Sequence, residues 1–465
     1  MRSPRLAVAI CAGILFVNAA VAETRPGETA PAVAQTASSD PFSIALQYLV
    51  VFYPRWFTFR LGSPPSPSNQ WVGPDHMSPV FGNVVAPNDD TLYVSSFMDL
   101  SSQPVIITVP QTVVTYSLLV MDAYGNVYNT NVSSPTALSG IPPGTYGLTP
   151  PGWQGTLPAG VIPVPVPFNW TIWLFRADKY SKDGQDQTMQ ADMFRRNLRA
   201  ATLSQYLQNP QSGPANIVPV AYYSPRYKVI ADQMIADDPI QFLTELQNSV
   251  HSPDTPALSS YEQQLSDTFD SLFAQQQYQT QMASGAQAGH TLILARYQAN
   301  IGPTNWISFT NIGAWGTDYL ARSATTEYLD LSNTHATAAY YHAFEDVNGD
   351  ALDTTVHSVY VLTFAADQIP QARRFWSLTM YTPDSITLVD NDLNKYLVAS
   401  YTPGLQYNED GSVSIYISPT LPPGVPQSNW LPAPQGQFDV VLRDYGPIGS
   451  IADNTYVPPG ITPGS

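Results

Sequence analysis

One cysteine occurs in the 465 residues, Cys11, and it lies in an apolar run near the N-terminus. Disulfide frameworks, thiol nucleophiles and thiolate metal sites are therefore excluded from the rest of the chain. A chain of this length can bury enough apolar surface to fold without covalent staples. Charge is scarce too. Charged residues make up 12% of the chain, with 36 Asp and Glu against 19 Lys and Arg, for a formal charge of −17. So acidic a surface opposes binding to nucleic acid or to anionic membrane. Past the N-terminus, the apolar runs are too short for the roughly 20 residues of a membrane-spanning helix. Strong catalytic signatures are missing as well: there is no Gly-x-Ser-x-Gly elbow, His-Glu-x-x-His helix, P-loop or Rossmann fingerprint.

What is present begins with an export signal. Arg2 and Arg5 precede the apolar run Leu6 to Val17, and Ala20-Val21-Ala22 offers a small-x-small cleavage site before Glu23. Residues 1–22 are expected to be a signal peptide, which places the protein in a secreted or periplasmic setting. Bulky Ile10 before Cys11 makes a poor lipoprotein box. Residues 23–40 are Ala-, Thr- and Pro-rich without periodicity and read as a disordered leader.

The fold class expected is mainly β with a helical insertion: two β-sandwich or jelly-roll-like domains. Residues 41–182 form the N-terminal β domain, 183–335 a mainly helical segment, and 336–465 a C-terminal β domain. Ile44, Leu46, Leu49 and Val50 suggest a helix ending near Pro54. Asn169 to Arg176 alternates Ile172 and Leu174 with Trp173 and Phe175, apolar on both faces, which predicts a central strand. Alternating Pro163, Pro165 and Pro167 forbid a central strand there. Asp238-Pro239 opens a helix. Asn408 to Ser412 reads as a hairpin turn, and Asp346 to Asp350 as a turn rather than a calcium loop.

Two passages echo each other. Thr91 to Asp99 resembles Ser358 to Ala366, Thr115 to Asp122 resembles Phe375 to Thr382, and each half closes on a strand with one Arg, Arg176 or Arg443. An internal duplication pairs Tyr93 with Tyr360 and Ser117 with Ser377; chance likeness among β strands is the other reading.

The strongest site candidate is Asn88-Asp89-Asp90 at the head of the strand Thr91 to Phe97. Adjacent carboxylates need a cation, an Arg or backbone donors, with Arg443 or Arg176 as the counter-charge. The other reading is an Asn-Asp turn capping its own backbone. Asp89, Asp90 and Arg443 are the candidate catalytic residues. Asn88, Tyr93, Asp122, Trp376, Asn429 and Trp430 are the candidate substrate-binding residues, the last two as an aromatic rim of the kind that holds sugar rings. A divalent metal is one candidate cofactor.

Pro87 to Tyr93, Asp99-Leu100, Tyr116-Ser117, Asp122 and Gly152-Trp153-x-Gly155 in the first half, with Phe375 to Tyr381, Asp410-Gly411-Ser412, Asn429 to Pro434 and Phe438 to Pro447 in the second, carry a family likeness. The chain resembles secreted bacterial and fungal proteins that pair the domains of unknown function numbered 1254 and 1214. It departs from them at Thr115, where Lys or Arg is usual. The resemblance implies two β domains and export, and supplies no reaction. The function expected is binding of a polar small molecule or glycan in a cleft between the β domains, with hydrolysis or lyase cleavage through Asp89 or Asp90. The alternative is a non-catalytic, envelope-associated binding or structural protein.

Overall fold

The computed structural model describes residues 40–63, 68–128, 141–220, 226–253 and 255–464. The signal segment 1–22, and the leader apart from Asp40, lie outside the described residues. Among those described are nine helices and eighteen strands in four mostly antiparallel sheets, with 29% helix and 26% strand. The helices are α1 Pro41–Gly62, α2 Thr188–Arg196, α3 Leu203–Gln208, α4 Tyr227–Asp237, α5 Pro239–Val250, α6 Ser260–Phe273, α7 Gln279–Gln298, α8 Tyr319–Leu329 and α9 Gly449–Ala452. In the first half, the strands are β1 Val72–Pro74, β2 Thr91–Asp99, β3 Val105–Val109, β4 Tyr116–Met121, β5 Gly144–Thr149, β6 Ile162–Pro165, β7 Trp170–Asp178, β8 Arg199–Thr202 and β9 Asn216–Val218. In the second, they are β10 Trp306–Ile307, β11 Ala338–Ala343, β12 Tyr360–Phe364, β13 Ala372–Tyr381, β14 Leu397–Ala399, β15 Val413–Ser418, β16 Trp430–Pro432, β17 Asp439–Pro447 and β18 Thr462–Pro463.

Helix α1 begins at Asp40, whose carboxylate accepts the Ser43 N–H, and Pro41 fits the first turn. It does not end near Pro54 but continues to Gly62. Proline has no N–H for the Val50 carbonyl four residues back. Ser323 Oγ on α8 donates to that carbonyl at 2.7 Å, and Arg322 donates to the next one, Val51, at 2.6 Å. A neighbouring helix thus replaces the bond that proline removes. Buried residues surround α1 on every face, so it is the core of a bundle with α5, α6, α7 and α8. Gly285 and Gly289 let α7 approach closely: a Cβ on Gly285 would lie 2.2 Å from the Phe42 carbonyl oxygen.

Each β-rich half has a five-stranded and a four-stranded sheet. The orders are β4-β7-β2-β1-β9 with β6-β5-β3-β8, and β10-β11-β17-β13-β14 with β16-β15-β12-β18. Trp173 and Phe175 face the core between the first pair of sheets, whereas Ile172 and Leu174 face a core shared with the helices. Strand β7 therefore lies centrally, between β4 and β2, as its two apolar faces predict. The Pro-rich β6 is an edge strand. Strands β8 and β9 extend the first half's sheets beyond residue 182, and β10 joins the second half's sheet ahead of residue 336. The turn at Asn408 to Ser412 forms, with Gly411 at φ 80°, but it is not a hairpin, because β14 and β15 belong to different sheets. Asp346 Oδ1 accepts the Asn348 and Asp350 N–H groups, closing its turn.

The strand order repeats. β1 through β8 correspond in order to β10 through β13 and β15 through β18, including the parallel pairs β5·β6 and β15·β16. The echo is misaligned in one place. In the first half Arg176 lies opposite Tyr93 and Ser117, and in the second Arg443 lies opposite Tyr340 and Ser377. Ser117 does match Ser377, but the counterpart of Tyr93 is Tyr340. Tyr360 belongs to β12, in the other sheet. The sequence of β12 imitates that of β2 although β12 alternates in burial and β2 is mostly buried, whereas β11, the true counterpart, is buried throughout and reads Ala-Ala-Tyr-Tyr-His-Ala.

No helix among the described residues is long and apolar enough to cross a membrane. The α1–α7 contact gives a test with opposed signs. Helix propensity alone would make Gly285→Ala stabilising by about 1 kcal/mol, but the clash with Phe42 makes the expected outcome a loss of about 1–3 kcal/mol. Denaturant unfolding of the two proteins measures it, and a stabilised variant would refute the close packing.

Candidate functional site

The loop before β2 is a turn with buried polar groups. Asn88 Oδ1 accepts from the Thr91 N–H at 3.0 Å and its hydroxyl at 3.1 Å. The Asn88 N–H donates to the Tyr93 hydroxyl at 3.0 Å, and Asn88 Nδ2 donates to Tyr445 of the second half at 2.8 Å. Ala86 has a φ of 49°. This is an uncommon setting for a residue with a Cβ, and it turns the Ala86 carbonyl to Arg443 Nη2 at 2.7 Å. Tyr381 donates to the Pro87 carbonyl at 2.7 Å.

A matching loop precedes β11. Asp330 has a φ of 47°. Arg176 of the first half donates to the Leu331 carbonyl at 2.6 Å and to Asn333 Oδ1 at 3.2 Å. The Asn333 N–H donates to the Tyr340 hydroxyl at 3.0 Å, as Asn88 does to Tyr93. Each arginine thus holds the loop of the opposite half. Neither forms an ion pair with a carboxylate among the described residues. Aromatic faces partly replace that partner: the Arg176 guanidinium carbon lies 5.2 Å from the Tyr93 ring, and that of Arg443 lies 5.4 Å from Tyr381.

The carboxylates of this region are already engaged. Asp90 is wholly buried and accepts from Ser377 Oγ at 2.8 Å and Tyr401 at 2.5 Å. Burial raises its pKa to about 6 against the pull of Tyr401 and Arg443. Asp89 pairs with Lys179 at 2.8 Å. Asp178 takes Arg374 in a buried bidentate pair that joins the halves. Burial raises Asp330 to about 7, while the Val85 N–H and Arg176 pull it down.

A cavity of about 90 Å³ lies at this junction, by the measure in which one water needs roughly 10–15 Å³. Its lining includes the polar residues Asn88, Tyr93, Arg176, Tyr340, Arg443 and Tyr445 and the apolar residues Leu61, Val72, Phe81, Val84, Phe97 and Leu174. Of the site residues singled out in the sequence, Asn88, Tyr93, Arg176 and Arg443 line it. Asp89 and Asp90 sit behind the wall. Asp122 caps its own turn, accepting the Tyr124 N–H at 2.8 Å and the Asn126 N–H at 2.9 Å. Trp376 lies in the core of the second sandwich. Asn429 bonds the backbone of Gln406 and Ser414, and the Trp430 indole donates to Ser418, so these two residues brace β16 and do not rim the cavity. Sequence reading missed Tyr340, Tyr445, Asp330 and Asn333. The one buried-looking Arg per closing strand was the available signal, and correct alignment of the repeat would have led from Tyr93 to Tyr340.

A second ionic cluster lies in the helical bundle. Asp232, His290 and Glu327 bring potential ligand atoms within 4.8 Å of one another. Lys228 Nζ already bonds both carboxylates, and Tyr53 donates to Glu327. The ammonium supplies the cation that these acids require, which makes the cluster a buried ion network.

Residues 68–202 match the family described as protein of unknown function DUF1254, and residues 337–448 match that described as DUF1214. The chain therefore pairs these two domains. No curated protein matches it. Among solved structures, the VPA0106 protein of Vibrio parahaemolyticus is 20% identical, with a TM-score of 0.61 over 91% of this chain and 100% of its own, a likeness of fold. An uncharacterised protein of Burkholderia cenocepacia is 12% identical, with a TM-score of 0.44 over 91% of this chain and 93% of its own.

The buried acids predict an unusual pH dependence. Burial also raises Asp444 to about 8, with neither carboxylate oxygen hydrogen-bonded among the described residues. A carboxyl whose folded pKa is raised binds its proton more tightly when folded. Its contribution is complete below the ordinary carboxyl range and is lost as pH rises through about 6, 7 and 8 for Asp90, Asp330 and Asp444. The thermal midpoint should therefore rise on going from pH 8 to pH 5.5, and Asp444→Asn should flatten the upper part of that curve. Scanning calorimetry across this range checks it; a midpoint that falls toward acid would contradict the assignment.

Proposed function

We propose that the protein holds a small molecule between its two β-rich halves, as a binding protein exported from the cell. The observation that supports this reading is the convergence of Tyr93 and Arg176 from one five-stranded sheet, and Tyr340 and Arg443 from the other, on a single cavity with an apolar wall. Ligand sites favour such junctions, where a few placed polar groups orient a largely apolar contact surface. Cleavage through Asp89 or Asp90 is the less favoured reading. Both carboxylates are occupied by Lys179, Ser377 and Tyr401, and neither lines the cavity. A polar or glycan-like ligand fits the Tyr and Asn end; the Leu, Val and Phe wall calls for an apolar portion as well.

Ser95 lines the cavity opposite Leu174 on the neighbouring strand. Ser95→Trp should fill the space while leaving the two sandwich cores intact. The purified wild type is expected to carry an extractable small molecule, or to be stabilised by members of a metabolite library, and the variant to lose both responses with an unchanged circular dichroism spectrum. A wild type that neither carries nor binds anything would end this reading. For export, intact-mass measurement of protein recovered outside the cytoplasm should give a chain starting at Glu23; retention of Met1 to Ala22 would remove the signal assignment.

A further inference from the structure

The cavity's charge balance is uneven, and this bears on what it admits. Arg176 and Arg443 are 4% and 2% exposed and both line the cavity. Their donors go mainly to neutral acceptors: the Leu331 and Ala86 carbonyls, Asn333 and Thr379. Arg176 Nε has no hydrogen-bond partner among the described residues. Lys179–Asp89 and Arg374–Asp178 are paired within themselves. The remaining carboxylates near the guanidiniums are Asp90, bonded to Ser377 and Tyr401, and Asp330, beside Arg176, and burial favours the neutral form of both. The hydrogen bonds of both guanidiniums thus go to neutral acceptors, in a region nearly closed to water. Removing a charge from water without a partner is costly, so an anion entering here gains more than it would at the surface.

We infer that the cavity takes a monocarboxylate on an apolar body, its carboxylate at the Arg176–Arg443 end and its body against Val72, Phe97 and Leu61. This inference rests on the binding role proposed above and names its ligand class. A planar carboxylate suits guanidinium donors. A single negative charge suits the two guanidiniums, whereas a dianion would be repelled more strongly by Asp90 and Asp330. The apolar body follows from the register of β2. Tyr93 stands opposite Arg176, Ser95 opposite Leu174 and Phe97 opposite Ile172. The polar row thus gives way to apolar rows within four residues, roughly 13 Å of strand.

The test compares octanoate, octanamide and octyl phosphate on the full-length wild-type protein by calorimetric titration at pH 7.5. Octanoate should bind at least about tenfold more tightly than the isosteric amide, the size of effect expected for hydrogen bonds to a charged group, and more tightly than the phosphate. Ser95→Trp should abolish octanoate binding, and Arg176→Met should erase the preference over the amide. Because Arg176 also braces a loop, the wild-type comparison decides the matter if that variant does not fold. Equal affinity for octanamide would overturn the anion while leaving cavity binding intact. Tighter binding of octyl phosphate would overturn the monoanion, and octanoate binding that survives Ser95→Trp would overturn its placement. Absence of octanoate binding up to about 10 mM would overturn the inference outright, and the metabolite-library result on the Ser95 pair would then judge the broader binding role independently.

Discussion

Two arginines, each carried by an interior strand of one five-stranded sheet and each bonded to a loop of the other half, organise this molecule. Arg443 fixes the Ala86 carbonyl and Arg176 fixes Leu331 and Asn333. Guanidiniums buried this deeply tolerate few arrangements, since each donor needs an acceptor and each charge a polarisable neighbour. The loops meet that need with carbonyls turned inward at positive φ, at Ala86 and next to Leu331 at Asp330. Strain in the loop and charge on the strand are thereby coupled. Either loop in a relaxed conformation would leave a buried cation short of acceptors.

This exchange also explains why the two β-rich halves and the helical bundle share one core. The five-stranded sheets turn one face to their own sandwich and the other to the helices, so β7 and β17 are buried on both sides. Helix α1 runs through the shared core, apolar on all faces, and accepts help from α8 where Pro54 interrupts its hydrogen bonding. The result places residues from two repeats of the same strand order around one cavity. A repeated row of Tyr, Arg and Ser on each sheet gives its polar part an approximate two-fold character.

The polar groups near the cavity fall into two kinds. Asp89, Asp178 and Asp90 are satisfied by Lys179, Arg374, Ser377 and Tyr401; the Asp178 and Asp90 contacts join the halves, and Asp89–Lys179 lies within the first. The Arg176 and Arg443 side chains line the cavity and bond neutral acceptors. That difference separates polar residues that lie behind the cavity wall from those that line it, although all of them are buried. Burial raises the pKa of Asp330, which faces Arg176, and of Asp444, whose carboxylate oxygens have no hydrogen-bond partner among the described residues.

Strand composition and alternation in the sequence were enough to place β7 in the sheet interior and to put the Pro-rich β6 at an edge. The Pro87 to Tyr93 and Phe375 to Tyr381 motifs were enough to identify the pairing of domains. These features are local: they depend on which faces of a short segment must be dry and on which residues lack a ladder donor. The partner of Tyr93, the carboxylates that are engaged and the length of α1 were decided by contacts between segments far apart in the chain. Asp90 is bonded by Ser377 and Tyr401, nearly three hundred residues or more away in the chain, and Asn429 and Trp430 brace β16 through Gln406, Ser414 and Ser418. The physical reason is the same in each case. Burial and hydrogen-bond satisfaction belong to pairs of groups, and the second member of the pair lies where only the packed tertiary structure brings it.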